Sequence, residues 1–246
     1  MFLVLCGIIG AAVGNFLAVC VDRLPSSNSV IWPPSHCPAC GHRLSAADMV
    51  PLVSYIVLRG KCRYCASPIP WRLFFIEMLT SAMFVLLGLH YGPGVPLIFA
   101  LLHLCFLIVI FMIDLEHHLI LNRTVYPAMG IALLGALVLS DHPFRGAALG
   151  GLIGFAIFFT IVFIYPAGMG MGDARLAAYI GLITGMPAVF IALFLAIILG
   201  GIVGVVLLAT GVKGRKDPIP FGPFLVIGGL IAMLYGKQLI RWYLGG

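Results

Sequence analysis

Eight apolar runs divide the chain, at approximately 1–21, 73–91, 95–113, 124–140, 146–166, 176–186, 187–210 and 222–244. Most approach the ~20 residues that carry an α-helix across the hydrocarbon core of a bilayer. The sixth is short, and a Gly185-Met186-Pro187 break parts it from the seventh. Residues 176–210 therefore read either as two spans or as one long span with a kinked or re-entrant start. The pattern predicts an all-α fold, a polytopic membrane helix bundle of about eight transmembrane helices. It divides into a first transmembrane helix at 1–21, a polar insert at 22–72 and a transmembrane core at 73–246.

Composition supports the bilayer as the solvent. Of 246 residues, 62% are hydrophobic and 9% are charged. A soluble domain carries about 25% charged residues, so this chain has too few to cover a surface in water. No cleavable secretory signal is evident: the first run starts at Met1 without a basic region before it, and is expected to stay as a helix. A lipoprotein-type reading of Leu17-Ala18-Val19-Cys20 fails on the bulk of Val19 and on Arg23, which follows rather than precedes.

The net charge of +6 does not point to nucleic acid, because the basic residues sit in the short segments between apolar runs. With eight spans and the N-terminus outside, the inside segments hold Arg23, Arg43, Arg59, Lys61, Arg63, Arg72, Arg123, Arg175, Lys213, Arg215 and Lys216. The outside segments hold Arg145, Lys237 and Arg241. Eleven against three predicts a cytoplasmic insert, because Lys and Arg are retained on the cytoplasmic side.

The insert differs in kind from the rest. It carries six of the fourteen basic residues and four of the seven cysteines. Cys37-Pro-Ala-Cys40 and Cys62-Arg-Tyr-Cys65 form paired CxxC turns with 21 residues between Cys40 and Cys62. Zn²⁺ takes four thiolates in a tetrahedron, and each turn supplies two. About fifty residues are too few for a self-sufficient core, and a metal supplies the missing folding free energy. A thiol redox role is the alternative, but no βαβ pattern surrounds the motifs. Cys6, Cys20 and Cys105 lie in apolar runs and read as packed side chains. His36 and His42 flank the first turn and read as bystanders.

Acids are scarce: Asp22, Asp48, Glu77, Asp114, Glu116, Asp141, Asp173 and Asp217. Asp48 and Asp217 read as solvated loop residues, and Asp141 as part of an outside loop with His142. Asp114 closes an apolar run. Asp173 follows Gly168-Met-Gly170-Met-Gly172 and precedes Ala174-Arg175. Two spans separate Asp114 from Asp173, which returns the chain to the same face at similar depth. Two close carboxylates cannot both ionise easily, so one retains its proton and the pair can run acid–base hydrolysis. The glycines allow an unwound backbone that an extended substrate can approach. Intramembrane acids also mark proton or ion paths, so a transporter or proton pathway through the two aspartates is the rival reading. Inverted repeats would favour that rival, and none is visible.

Together these residues resemble the type IV prepilin peptidases, the leader peptidase/N-methyltransferases, in that family's order along nearly the whole chain. Gly14-Asn-Phe-Leu with Arg23-Leu-Pro25 resembles its opening. Cys37-Pro-Ala-Cys40 and Arg59-Gly-Lys-Cys62-Arg-Tyr-Cys65 are similar to its zinc insert. Trp71-Arg72 and Glu77 are similar to the start of its second helix. Ile113-Asp114-Leu and Gly170-Met-Gly172-Asp173 resemble its two catalytic aspartates, and Ile219-Pro-Phe-Gly-Pro223-Phe its penultimate loop.

The resemblance implies an inner-membrane enzyme, surrounded by lipid, that cuts the cytoplasmic leader of prepilins or pseudopilins with Asp114 and Asp173. Gly170, Gly172 and Arg175 would support the second aspartate. The enzyme would then methylate the new N-terminal amine with S-adenosylmethionine, with Glu77 a candidate at that site. An ordinary ion pair between Glu77 and Arg72 is the equal alternative for that residue. The products would feed pilus assembly, secretion or DNA uptake. Two positions depart from the family: Arg175 replaces a usual Lys, and Asn122 stands where many members have an acid.

Overall fold

The computed structural model describes residues 1–139, 144–166, 168–214, 217–243 and 245. Asp141 and His142, expected in an outside loop, and Arg215 and Lys216, expected inside, lie outside the described residues. Among the described residues the helices are α1 (Phe2–Arg23), α2 (Val53–Val57), α3 (Trp71–Tyr91), α4 (Val95–His117), α5 (Asn122–Val138), α6 (Phe144–Ile164), α7 (Met171–Thr184), α8 (Ala188–Ala209) and α9 (Gly222–Tyr243). Apart from the short α2, each falls on one of the eight apolar runs. Residues 176–210 are two helices, α7 and α8, broken where Gly185 takes φ +68 at the end of α7. Six helices, α1, α3, α4, α6, α8 and α9, are long and apolar enough to cross a membrane. The protein is an all-α multi-pass membrane bundle.

The chain forms two compact units, Met1–Leu101 and Leu102–Gly246. In the first, α1 packs along α3 through small residues. A Cβ on Gly10 would meet Phe84 at 2.8 Å, and one on Gly14 would meet the Glu77 Cα at 2.7 Å. Close approach of this kind is how helices associate where the solvent is itself apolar.

In the second unit α7 is the central helix. Ala174, Leu176 to Gly181, Ile183 and Thr184 are all buried, and α7 touches α5, α6, α8 and α9. At 14 residues α7 is too short to span alone. A helix buried on all sides does not need to. Gly150, Gly151 and Gly154 of α6 lie against its backbone at Gly181, Ala178 and Ala177, so no Cβ fits there. The Tyr179 hydroxyl and His103 Nδ1 of α4, both buried, meet at 3.0 Å. Each meets the polar needs of the other in an otherwise apolar core.

Candidate active site and metal centre

The insert between α1 and α3 has almost no core. Among the described residues from Asp22 to Pro70, only Cys37 and Cys62 are buried. What it has instead is a backbone pattern used twice. The Cys37 carbonyl accepts from Gly41, its N–H donates to His42, and Leu44 N–H closes on Ser35. Around Cys62 the same bonds run from Ala66, to Ser67, and from Ile69 to Gly60. The fifth position of each turn needs a left-handed φ, +70 at Gly41 and +57 at Ala66. Glycine adopts that value without strain and alanine does not.

The two turns bring the Sγ atoms of Cys37, Cys40, Cys62 and Cys65 within 4.8 Å of one another. This donor set fits tetrahedral zinc. Backbone N–H groups of Cys40 and Ala39 pull the Cys37 thiol down to about 6, toward the thiolate a metal needs. His36 and His42 stay outside the cluster. Asp48, expected to be solvated, is instead clasped. It accepts from Ser45, Arg63 Nε at 2.6 Å and Tyr64. The Ser45 hydroxyl first, then the Arg63 guanidinium, hold its carboxyl well below the usual range. It ties the segment between the turns to the second turn.

Glu77 is buried in α3. Its Oε1 accepts from Asn15 Nδ2 at 2.9 Å and its Oε2 from the Leu52 N–H at 2.7 Å. Arg72 forms an ion pair with Asp22, and the contacts of Glu77 join α1, the insert and α3. Nothing pointed to Leu52. Asn15 had one signal, as the only amide within the first apolar run.

In the second unit each aspartate meets the N-terminus of a helix. Asp173 is the third residue of α7, and its Oδ2 reaches back to the Gly170 N–H at 3.1 Å. That N–H has no partner within the helix, and the helix dipole favours an anion beside it. Gly172 can approach Ile120 closely because it lacks a Cβ, which would lie 2.9 Å from the Ile120 Cβ.

Asp114 lies near the C-terminal end of α4, where the dipole opposes a carboxylate. Its Oδ2 accepts from the Gly222 N–H, the first residue of α9, at 2.9 Å. Asp114 is buried and Asp173 half-buried, and the charge of one reaches the other. Arg175 does not turn to either carboxylate through a described hydrogen bond; its guanidinium donates to Asn122 Oδ1 at 2.6 Å. The two positions that depart from the family pattern thus contact each other. Gly222 was legible only as part of a resembling loop. The bond to Asp114, 108 positions away, is tertiary.

A multi-pass membrane bundle whose insert carries four cysteines able to hold a metal, and whose helices carry two aspartates within electrostatic reach of one another, defines a class of membrane protein with a metal-binding insert. The comparisons give the family. The Bacterial Peptidase A24 N-terminal domain matches residues 8–91 and the Type IV leader peptidase family matches residues 101–205. The chain is similar to the prepilin leader peptidase/N-methyltransferase of Dichelobacter nodosus, 34% identical over 90% of this chain and 78% of that one. It is 32% identical to that of Legionella pneumophila over 100% of this chain and 95% of the relative. It is 29% identical to that of Bacillus subtilis (strain 168), over 96% of each. No solved structure matches the chain. The chain belongs to the type IV leader peptidase family and is an enzyme.

Proposed function

We propose that the protein cuts the leader from type IV prepilins or pseudopilins at the cytoplasmic face of a bacterial inner membrane, with Asp114 and Asp173 as the catalytic pair. The observation that supports this is that two carboxylates, one on α4 and one on α7, each accept from an N–H at a helix N-terminus and lie near enough for the charge of one to act on the other. Such a pair shares a proton. The ionised member takes a proton from water, whose oxygen attacks the peptide carbonyl. The protonated member donates a hydrogen bond to the carbonyl oxygen as charge develops there, and the member that took the water proton passes it to the leaving amine. These roles belong to the pair. The cytoplasmic side rests on the excess of Lys and Arg in the segments assigned inside.

In the same reading residues 1–21 anchor the chain, the zinc insert at 22–72 belongs to N-methylation of the new N-terminus, and 73–246 carry proteolysis. Zinc would be structural, held by Cys37, Cys40, Cys62 and Cys65. S-adenosylmethionine would supply the activated methyl group. Glu77 is buried at the junction of α1, insert and α3 and belongs to that half. Gly170 and Gly172 shape the loop before Asp173, and Arg175 with Asn122 braces its far side. The test is to incubate the purified protein with a candidate prepilin, with and without S-adenosylmethionine, and weigh the products. Loss of the leader mass in both cases, and a methyl increment only with the donor, is expected. An uncut prepilin refutes the reading.

A further inference from the structure

The insert turns apolar side chains outward. In α2, Ser54 and Tyr55 face inward and are half-buried, as is Leu58 just after the helix. The outward face is aliphatic: Val53 is 55% exposed, Ile56 64% and Val57 69%. Their i, i+3, i+4 spacing puts them on one side of the helix. Met49 and Val50, just before α2, are exposed as well. A helix in water carries the reverse pattern, with its apolar stripe inward. A contiguous exposed aliphatic face marks contact with a membrane or with another protein.

The place of α2 in the first unit decides between the two. The Leu52 N–H at its start bonds Glu77 Oε2 at 2.7 Å, and Glu77 also accepts from Asn15. The Tyr55 ring stacks on Phe74 with centroids 5.0 Å apart. Met49 and Pro51 wall a groove of ≈ 290 Å³ together with Ala12, Phe16 and Val19 of α1. Asn15 is eight residues before the end of α1, and Glu77 is six after the start of α3. At 1.5 Å per residue these points lie roughly 12 and 9 Å inside the helix ends. The insert thus folds back along the flanks of two helices that are long and apolar enough to cross a membrane. It reaches the depth of an interfacial helix, about 5–10 Å into the boundary between headgroups and acyl chains.

Charge points the same way. Residues 22–72 hold six basic residues and two acids, and both acids are already paired, Asp22 with Arg72 and Asp48 with Arg63. Arg59 and Lys61 follow α2 directly and are exposed. Trp71, exposed at the first position of α3, has the amphipathic ring that settles where a helix leaves the bilayer. We infer that α2 is an interfacial membrane anchor. Val53, Ile56 and Val57, with Met49 and Val50, lie among the upper acyl chains, and Arg59 and Lys61 meet the phosphates of acidic phospholipids. An insert with almost no core of its own is then held by its cysteine cluster and by lipid.

The experiment puts a single indole on this face: Ile56→Trp in the full chain, with Trp32→Phe, Trp71→Phe and Trp242→Phe. The purified protein is reconstituted into vesicles of phosphatidylcholine and phosphatidylglycerol. Lipids brominated high in their acyl chains should remove about half of the emission or more, and iodide in the water should remove little. Phosphatidylcholine alone, or Arg59→Gln with Lys61→Gln in the mixed vesicles, should lower quenching by the bromolipids and raise quenching by iodide. Thermal melting reports folding, and Val57→Trp takes the place of Ile56→Trp if that variant does not fold. Strong iodide quenching with none from the bromolipids puts the face in water and overturns the proposal. Protection from both quenchers means that protein covers the face, a second copy or another segment of this chain, and overturns it too. Bromolipid quenching that ignores both the lipid charge and the loss of Arg59 and Lys61 removes acidic phospholipid as the partner.

Discussion

Replacing Gly222 by alanine tests the geometry around Asp114 with a single methyl group. Gly222 begins α9 and its N–H is 2.9 Å from Asp114 Oδ2. A Cβ there would sit 2.5 Å from that oxygen and 3.0 Å from the carboxyl carbon. The carboxylate is buried and has little room to retreat, so the N–H bond must stretch or break. Gly222 is absent from the positive-φ glycines, and alanine therefore adds no backbone strain. As a helix residue, alanine is better than glycine by up to ~1 kcal/mol. Folding should hold while catalysis falls. A hydrogen bond to a charged group contributes about 1.5–3 kcal/mol, and each 1.36 kcal/mol is tenfold in rate, so cleavage should slow by roughly 10- to 150-fold. The assay is the rate of leader removal by purified protein, with zinc content and thermal melting as measures of folding. Gly130→Ala is the control, since a Cβ there meets nothing within 4 Å. A Gly222→Ala enzyme that cleaves within about twofold of wild type would sink the idea that this N–H sets the state of Asp114.

Three further outcomes are expected. Asp114→Asn and Asp173→Asn should each remove cleavage by orders of magnitude, and the double variant should be no worse than either, because the pair acts as a unit; substantial cleavage by one variant removes that residue from the mechanism. Metal analysis should find one zinc per chain, and a strong chelator or Cys37→Ser should unfold the insert, seen as new protease sites between 22 and 72; a metal-free protein with an ordered insert contradicts this. Ala66→Gly should relieve the left-handed strain at φ +57 and strengthen zinc retention by up to ~1 kcal/mol, roughly fivefold, in a chelator competition; weaker retention would mean that the turn is not strained.

Much of the architecture was legible because the bilayer imposes it. A segment in hydrocarbon must satisfy its own backbone, so apolar length alone marks helices, and the eight runs match α1 and α3–α9 within a few residues. The tetracysteine cluster was legible for a related reason: CxxC is a local turn, and metal geometry demands two of them. The aspartates could be picked out because carboxylates are so rare in this chain. What the sequence could not show is who holds them. That α7 lies at the centre of its unit is invisible in hydropathy, because its small residues read as weakly apolar while their lack of bulk is what lets four helices close on it. Asp48 looked like a loop acid until Arg63 and Tyr64 were folded back onto it. Glu77 looked like a partner for Arg72 by helical spacing, but spacing says nothing of Asn15 or Leu52, which arrive from α1 and the insert. Gly222 comes to Asp114 across 108 positions. The sequence determined which groups lie in hydrocarbon and which can ligate or titrate, since those are properties of single residues and short periods. The tertiary structure decided which donors face each carboxylate, because a hydrogen bond needs two groups in one place and only packing brings distant segments there.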